Sequence, residues 1–184
     1  MIGGLEPLGA RFTVRRRNMY HSNRELRRRL EAIYIEVMWL ARRRNVSPSC
    51  ARAWYTHVMA GGLAKRVRRF TGKVSSAAAS DLSAVLRLEH YARIQATLTA
   101  LISRHLAQKR ERPSEFIKIV MRTERVHIVT FQENYAVLRH HGNYRRAGIK
   151  LVGWNRIPRA KRVVLWRRML RGRVANAEEY ATSL

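Results

Sequence analysis

The chain has 184 residues, 46% of them hydrophobic, and carries 38 Lys and Arg against 12 Asp and Glu, a formal net charge of +26. That length suits one compact domain, or one domain with extensions. So large an imbalance makes a lone globule repel itself, calls for a large anionic partner and argues against an ordinary small-molecule enzyme free in solution.

Other bulk features narrow the class further. The longest run without Asp, Glu, Lys or Arg is Ala53 to Ala64, twelve residues, whereas a bilayer span needs roughly 20, so no membrane span is expected. The single Cys50 makes no intrachain disulfide, and with seven scattered His it offers no zinc framework. A reducing compartment fits: cytosol, nucleus or organelle matrix.

Met1 to Tyr20 holds Arg11, Arg15, Arg16 and Arg17 against Glu6, with Gly3, Gly4, Pro7 and Gly9 and no sustained period. It reads as a basic extended arm, with the flavour of a mitochondrial import sequence; an arm on nucleic acid and an uncleaved import signal both fit. Ser22 with Glu25 forms a capping-box pattern, and Leu26, Leu30, Ile33, Val37, Leu40 and Ala41 then recur at helical spacing to about Asn45. Ser47-Pro48 predicts the start of a second helix, roughly 48–60, stopped by Gly61-Gly62 and resumed over Leu63 to Phe70. Thr71 to Ser80 reads as a small-residue linker. Ser80 is expected to cap a third helix that carries Leu82, Val85, Leu86, Ile94, Leu98, Leu101, Ile102 and His105 to about Arg110, with Pro113 beyond its end.

The composition then changes. Phe116 to Arg122 and Val126 to Phe131 are rich in β-branched residues and predict two strands of a hairpin. Gln132 to His141 reads as a short helix closed by Gly142, Ile149 to Val152 as a short strand, and Pro158 as the start of a last helix ended by Gly172. The expected fold is α+β and mostly α. It comprises the arm (1–20), a helical hairpin or three-helix bundle (21–112), a small α+β unit with a terminal helix (113–172) and a tail (173–184).

Four basic clusters stand out: Arg15, Arg16 and Arg17; Arg27, Arg28 and Arg29; Arg42, Arg43 and Arg44; and Lys65, Arg66, Arg68 and Arg69. A fifth region holds Arg156, Arg159, Lys161, Arg162, Arg167, Arg168, Arg171 and Arg173. Successive helical residues point about 100° apart, so a triplet reaches phosphates around a helix instead of lining one groove. Arg outnumbers Lys 32 to 6, and its planar fork suits bidentate phosphate contacts. Trp54 and Trp166, at helical spacing, read as core. Tyr144 and Trp154 fall in a Gly- and Arg-rich stretch where stacking on RNA and packing are about equally expected. His140 to Arg146, with His141, Tyr144, Arg145 and Arg146, is the best single candidate for specific RNA contact.

Catalysis is not expected. His140, His141 and Glu133 make an acid–base set in name only, Asp81 is the sole Asp, and the scattered acids suit no metal-dependent nuclease. No phosphate-binding Gly loop, HExxH or nucleophile motif is present, so no cofactor, metal or small-molecule substrate is predicted.

Arg-dense helices, a basic arm, a small α/β unit and one cysteine together resemble a ribosomal protein of mitochondrial type, in overall character over the whole chain. ARRRNVSPS at 41–49 resembles a helix-turn segment of the large-subunit protein L-twenty. RVHIVTF with HHGNYRR at 125–146 resembles the C-terminal stretch of L-twenty-one. Neither extends into its neighbours, so no residue roles carry over. The resemblance implies a structural constituent of a mitochondrial ribosome in the matrix, with ribosomal RNA and neighbouring ribosomal proteins as partners. A free nucleic-acid factor, for ribosome assembly or DNA compaction, is the alternative; an RNA-processing enzyme is a weaker third reading.

Overall fold

A computed structural model describes residues 9–183, with side chains from residue 23 onward. The molecule is α+β and mostly α, with a four-stranded mixed sheet. Helix α1 (Gly9–Ala41) runs 33 residues. It begins well before the expected boundary at Tyr20, so the Ser22–Glu25 pattern lies inside a helix instead of starting one. Residues 1–8 of the expected arm lie outside the described residues. Leu26, Leu30, Ile33, Tyr34, Val37, Met38 and Ala41 form its buried stripe.

Helix α2 (Pro48–Val58) starts as its sequence predicts: the Ser47 hydroxyl accepts from Cys50 N–H at 3.2 Å and Pro48 takes the first turn. The double glycine breaks the helix, as expected. Over Met59–Leu63 the chain kinks at Gly62, whose φ of +106° is not helical, and then resumes as the four-residue α3 (Ala64–Val67), shorter than the expected Leu63 to Phe70.

The segment read as a linker is instead strand β1 (Arg69–Ser75) and helix α4 (Ser76–Ser80), the latter capped by the Ser75 hydroxyl, which accepts from Ala78 N–H. Phe70 and Val74 anchor the strand in the core, and Gly72 at φ +74° takes up an irregularity in its pairing. The expected long third helix is likewise split. Asp81 accepts from the Ser83 amide and hydroxyl in a turn, strand β2 (Leu86–His90) follows, and only α5 (Ile94–Ala107) is helical. Leu86 and Leu88 alternate with Arg87 and Glu89, a two-residue period hidden inside an apparent helical one.

Phe116 to Arg122 is not a strand. Helix α6 (Pro113–Thr123) has Pro113 in its first turn and Glu115 near its positive end, and buries Phe116, Val120 and Thr123 on one face. Strand β3 (Arg125–Thr130) therefore has no hairpin partner in α6. It is central, antiparallel to β2 and parallel to β1, in the order β2-β3-β1-β4. Helix α7 (Phe131–Arg139) follows with a full capping box between Thr130 and Glu133, and Gly142, at φ +86°, closes it as predicted. Strand β4 (Leu151–Gly153) pairs antiparallel to β1.

Helix α8 (Arg159–Leu165) continues as a π-turn, Trp166–Leu170, and Gly172 at φ +68° turns the chain. The expected tail is structural: Val174, Asn176 and Ala177 are buried, and α9 (Ala177–Ala181) packs on the sheet. Two cores result. One joins α1, α2, α3, α5 and α6; the other joins one sheet face to α4, α8 and α9. Residues 69–90, grouped with the helical part on sequence grounds, supply two of the four strands.

Candidate nucleic-acid interface

Helix α1 presents Arg24, Arg27, Arg28 and Arg29 to solvent, because the buried positions Leu26 and Leu30 fix the opposite side. Arg42, Arg43 and Arg44 are all exposed, but they lie in the turn after α1, which ends at Ala41 and not near Asn45, so only the Arg27–Arg29 triplet diverges by helical geometry. Arg15, Arg16 and Arg17 lie on the same helix, where side chains fall outside the described residues. Arg43 lies 3.9 Å above the ring of Trp39, which is 54% exposed beside Ile35.

Several of the few carboxylates are drawn onto arginines. Glu25 holds Arg29 at 2.9 Å and Arg66 at 3.4 Å, Glu111 holds Arg42, Glu115 holds Arg104, and Glu179 holds Arg69 at 2.6 Å. Arg27, Arg28, Arg44, Lys65, Arg145, Arg146, Arg156, Arg159 and Arg167 make no ion pair among the described residues and are all exposed. Exposed pairs add little to stability, so the acids mainly lower the field locally and leave the surplus facing outward.

Other basic candidates serve the fold. Lys161 Nζ donates to the carbonyls of Ala79 (3.0 Å) and Ser80 (2.9 Å), satisfying the end of α4. Arg168 donates to the carbonyls of Leu82 and Ala84, tying the π-turn to the loop before β2. Arg162 is half-buried, with its Nε shielded and unpartnered.

Neither aromatic candidate of the Gly- and Arg-rich stretch is a free platform. Trp154 is 3% exposed, packs edge-on against Phe70 and Tyr180 and donates to the Ser183 hydroxyl; it is a core residue. Tyr144 meets His127 edge-on at 5.2 Å, and burial pushes its phenol above the usual range. Its hydroxyl is shielded without a partner. Around it His140, His141, Arg145 and Arg146 are exposed, with His141 in the left-handed region at φ +55°. Glu133 is engaged elsewhere, accepting from Thr130 N–H and the Ser75 hydroxyl, so it forms no site with the histidines.

Sequence reasoning missed the polar hub between the two cores. Glu124, 3% exposed, accepts from the Tyr55 hydroxyl at 3.0 Å through Oε1, and from Arg68 Nε at 3.3 Å and His90 Nε2 at 3.0 Å through Oε2. Burial alone would raise its pKa; His90, Arg68 and Tyr55 outweigh that and hold the carboxyl below its ordinary value. Nothing in the sequence marks Glu124, His90 or the isolated Arg52, Arg93 and Arg173 as one neighbourhood, since four separate segments carry them.

Among the described residues no three His, Cys, Asp or Glu side chains come together to hold a metal ion, and no helix is long and apolar enough to cross a membrane. Compared with known proteins, the chain matches no family model, no curated protein and no solved structure.

Proposed function

We propose that this chain binds nucleic acid through its phosphates, as an RNA-binding structural constituent of a mitochondrial ribosome. The observation that carries the reading is the disposition of charge. A surplus of 26 cations surrounds an ordinary apolar interior, and only five carboxylates of the described residues, Glu25, Glu111, Glu115, Glu124 and Glu179, pair with arginines of the same chain. Exposed Arg on α1, after α1, in the loop after α7 and on α8 then face several directions, as suits a protein wedged where RNA segments converge. Arg holds its charge when partly desolvated and forks onto phosphate.

The test is salt-dependent RNA binding, followed by salt washing of ribosomal particles. Neutralising about ten phosphates gives a slope of log affinity against log salt of about −7 on single strands and −9 on duplex. A ribosomal constituent stays with the particle through a wash that strips loosely bound factors. A second reading, a free-standing nucleic-acid factor, is favoured by one observation: both hydrophobic cores are closed within the chain itself. Release at moderate salt, with a folded monomer in solution, would select it.

A further inference from the structure

We infer that a single-stranded stretch of nucleic acid lies in a belt of three neighbouring clefts around α2, the Gly62 kink and α3; the inference rests on the nucleic-acid reading above. The first cleft, 570 Å³, lies between α1 and the Gly62 kink and is lined by Arg29, Trp54, Lys65 and Arg66. The second, 490 Å³, holds Lys65, Arg68, His90, Gln95 and Arg173. The third, 730 Å³, holds Arg52, Arg93 and Leu138. The first two share Gly62 and Lys65, and the last two share His90, Ile94 and Gln95, so the three lie side by side.

Each cleft has the size of a site that encloses a small ligand. A duplex keeps its bases stacked inside, whereas a strand with splayed nucleotides fills successive concavities. Each cleft carries two or three Lys or Arg side chains among mostly uncharged residues; of those in the first, Arg29 and Arg66 are held by Glu25. The carboxylates of the lining are muted: Glu36 accepts from the Trp54 indole N–H, Glu124 is covered by three donors, and burial pushes the Glu89 carboxyl above its ordinary range.

Two further features point to a ligand. At the pass between the first two clefts, a Cβ on Gly61 or Gly62 would meet nothing within 4 Å, so the main chain lies open to close approach by a phosphate. In the third cleft, Arg52 Nε is shielded from water with no hydrogen-bond partner. Trp54, 38% exposed and stacked on His57 at 5.4 Å, supplies a ring at the rim of the first cleft for one base.

The test compares two triple variants that remove equal charge: Lys65→Ala with Arg93→Ala and Arg173→Ala in the belt, and Arg44→Ala with Arg159→Ala and Arg167→Ala outside it. Anisotropy of a labelled oligouridine of about twelve nucleotides reads affinity, with a duplex of equal length as the second probe. The belt variant is expected to lose on the order of 30-fold in single-strand affinity and to flatten the salt slope by about 2; the outer variant loses less than about fivefold. Trp54→Ala is expected to lose roughly tenfold on the single strand alone. Photocrosslinking of thiouridine-substituted RNA to residues 54–65 of the unaltered chain checks the path without any variant. Equal losses in the two triples, or equal behaviour of duplex and single strand, would overturn the belt while leaving nucleic-acid binding intact. Failure of the unaltered protein to bind any polynucleotide at low salt would overturn both.

Discussion

The two cores are built on different plans. In the helical one Phe116 stands between Tyr34 (5.4 Å) and Tyr55 (5.8 Å), and Tyr34 shares its hydroxyl between Arg112 N–H and His105 Nδ1. Each helix there carries its own backbone hydrogen bonds, so the contacts between helices are almost wholly side-chain packing. The sheet core stacks Phe70 against Trp154 and Tyr180, yet its strands need partners from distant segments. Where β1 outruns β4, the Asn176 amide accepts from Phe70 N–H at 2.8 Å and donates to Phe70 C=O at 3.0 Å, standing in for a missing strand. The helical core thus fails by losing volume, and the sheet core by losing hydrogen-bond partners.

The largest effect expected is at Phe116. Phe116→Ala should lower stability by about 3–5 kcal/mol, because the rings of Tyr34 and Tyr55 lose their common neighbour. Leu165→Ala in the sheet core should lower it by about 2–5 kcal/mol. Urea unfolding followed by both fluorescence and circular dichroism checks whether each variant shifts one common transition. Two separated transitions would break the picture of cores coupled through Glu124.

Glu124→Ala should cost about 3 kcal/mol, since it strands Arg68, His90 and the Tyr55 hydroxyl together. Glu124→Gln, which keeps the shape and one of the two acceptor oxygens, should cost clearly less. If the two variants unfold at the same urea concentration, the hub does not join the cores.

The third prediction concerns pH. Burial, then Arg125 and Lys73, lower the His127 pKa from 6.5 to about 4. The unfolded chain takes up this proton near pH 6.5 and the folded chain near 4, so the stability from a neutral His127 is complete above 6.5 and lost as pH falls through that window. The loss amounts to about 2–3 kcal/mol. Glu89, its cross-strand neighbour, has a raised pKa and opposes the trend, so the informative quantity is the difference from His127→Gln. That variant retains a partner for Thr71 and should show a flatter profile between pH 7 and 4.5. Parallel profiles would sink the assignment.

Asn176→Ala should cost about 2 kcal/mol, by leaving the Phe70 amide and carbonyl unpaired, and should speed hydrogen exchange at Phe70. The smallest effect is expected at Arg27 and Arg28, where alanine should change stability by less than about 0.5 kcal/mol while weakening RNA binding. A large loss of stability there would mean these cations hold the fold together.

The helical core was largely legible because its period is local: Leu26 to Ala41 and Ile94 to His105 announce their buried faces. The sheet was not. LRLEH at 86–90 hides in an apparent helical stripe, Thr71 to Ser80 looks like a linker because its neighbours in space are far along the chain, and FIKIVMR follows tertiary packing over its β-branched composition. The exposed arginines were legible one by one. Their sorting into outward-facing cations, caps such as Lys161 and hub members such as Arg68 depends on carbonyls and carboxylates that no spacing reveals.

The position of β3 has a consequence for assembly. It is the only strand bonded to both β1 and β2, so β1 and β2 have nothing to pair with each other while residues 125–130 are still being added. During synthesis the helices of residues 9–58 can associate early, whereas the strand residues 69–90 wait for at least 35 more. In that interval their unpaired backbone edges are open to pairing with other chains, so this is the stage of folding most exposed to aggregation.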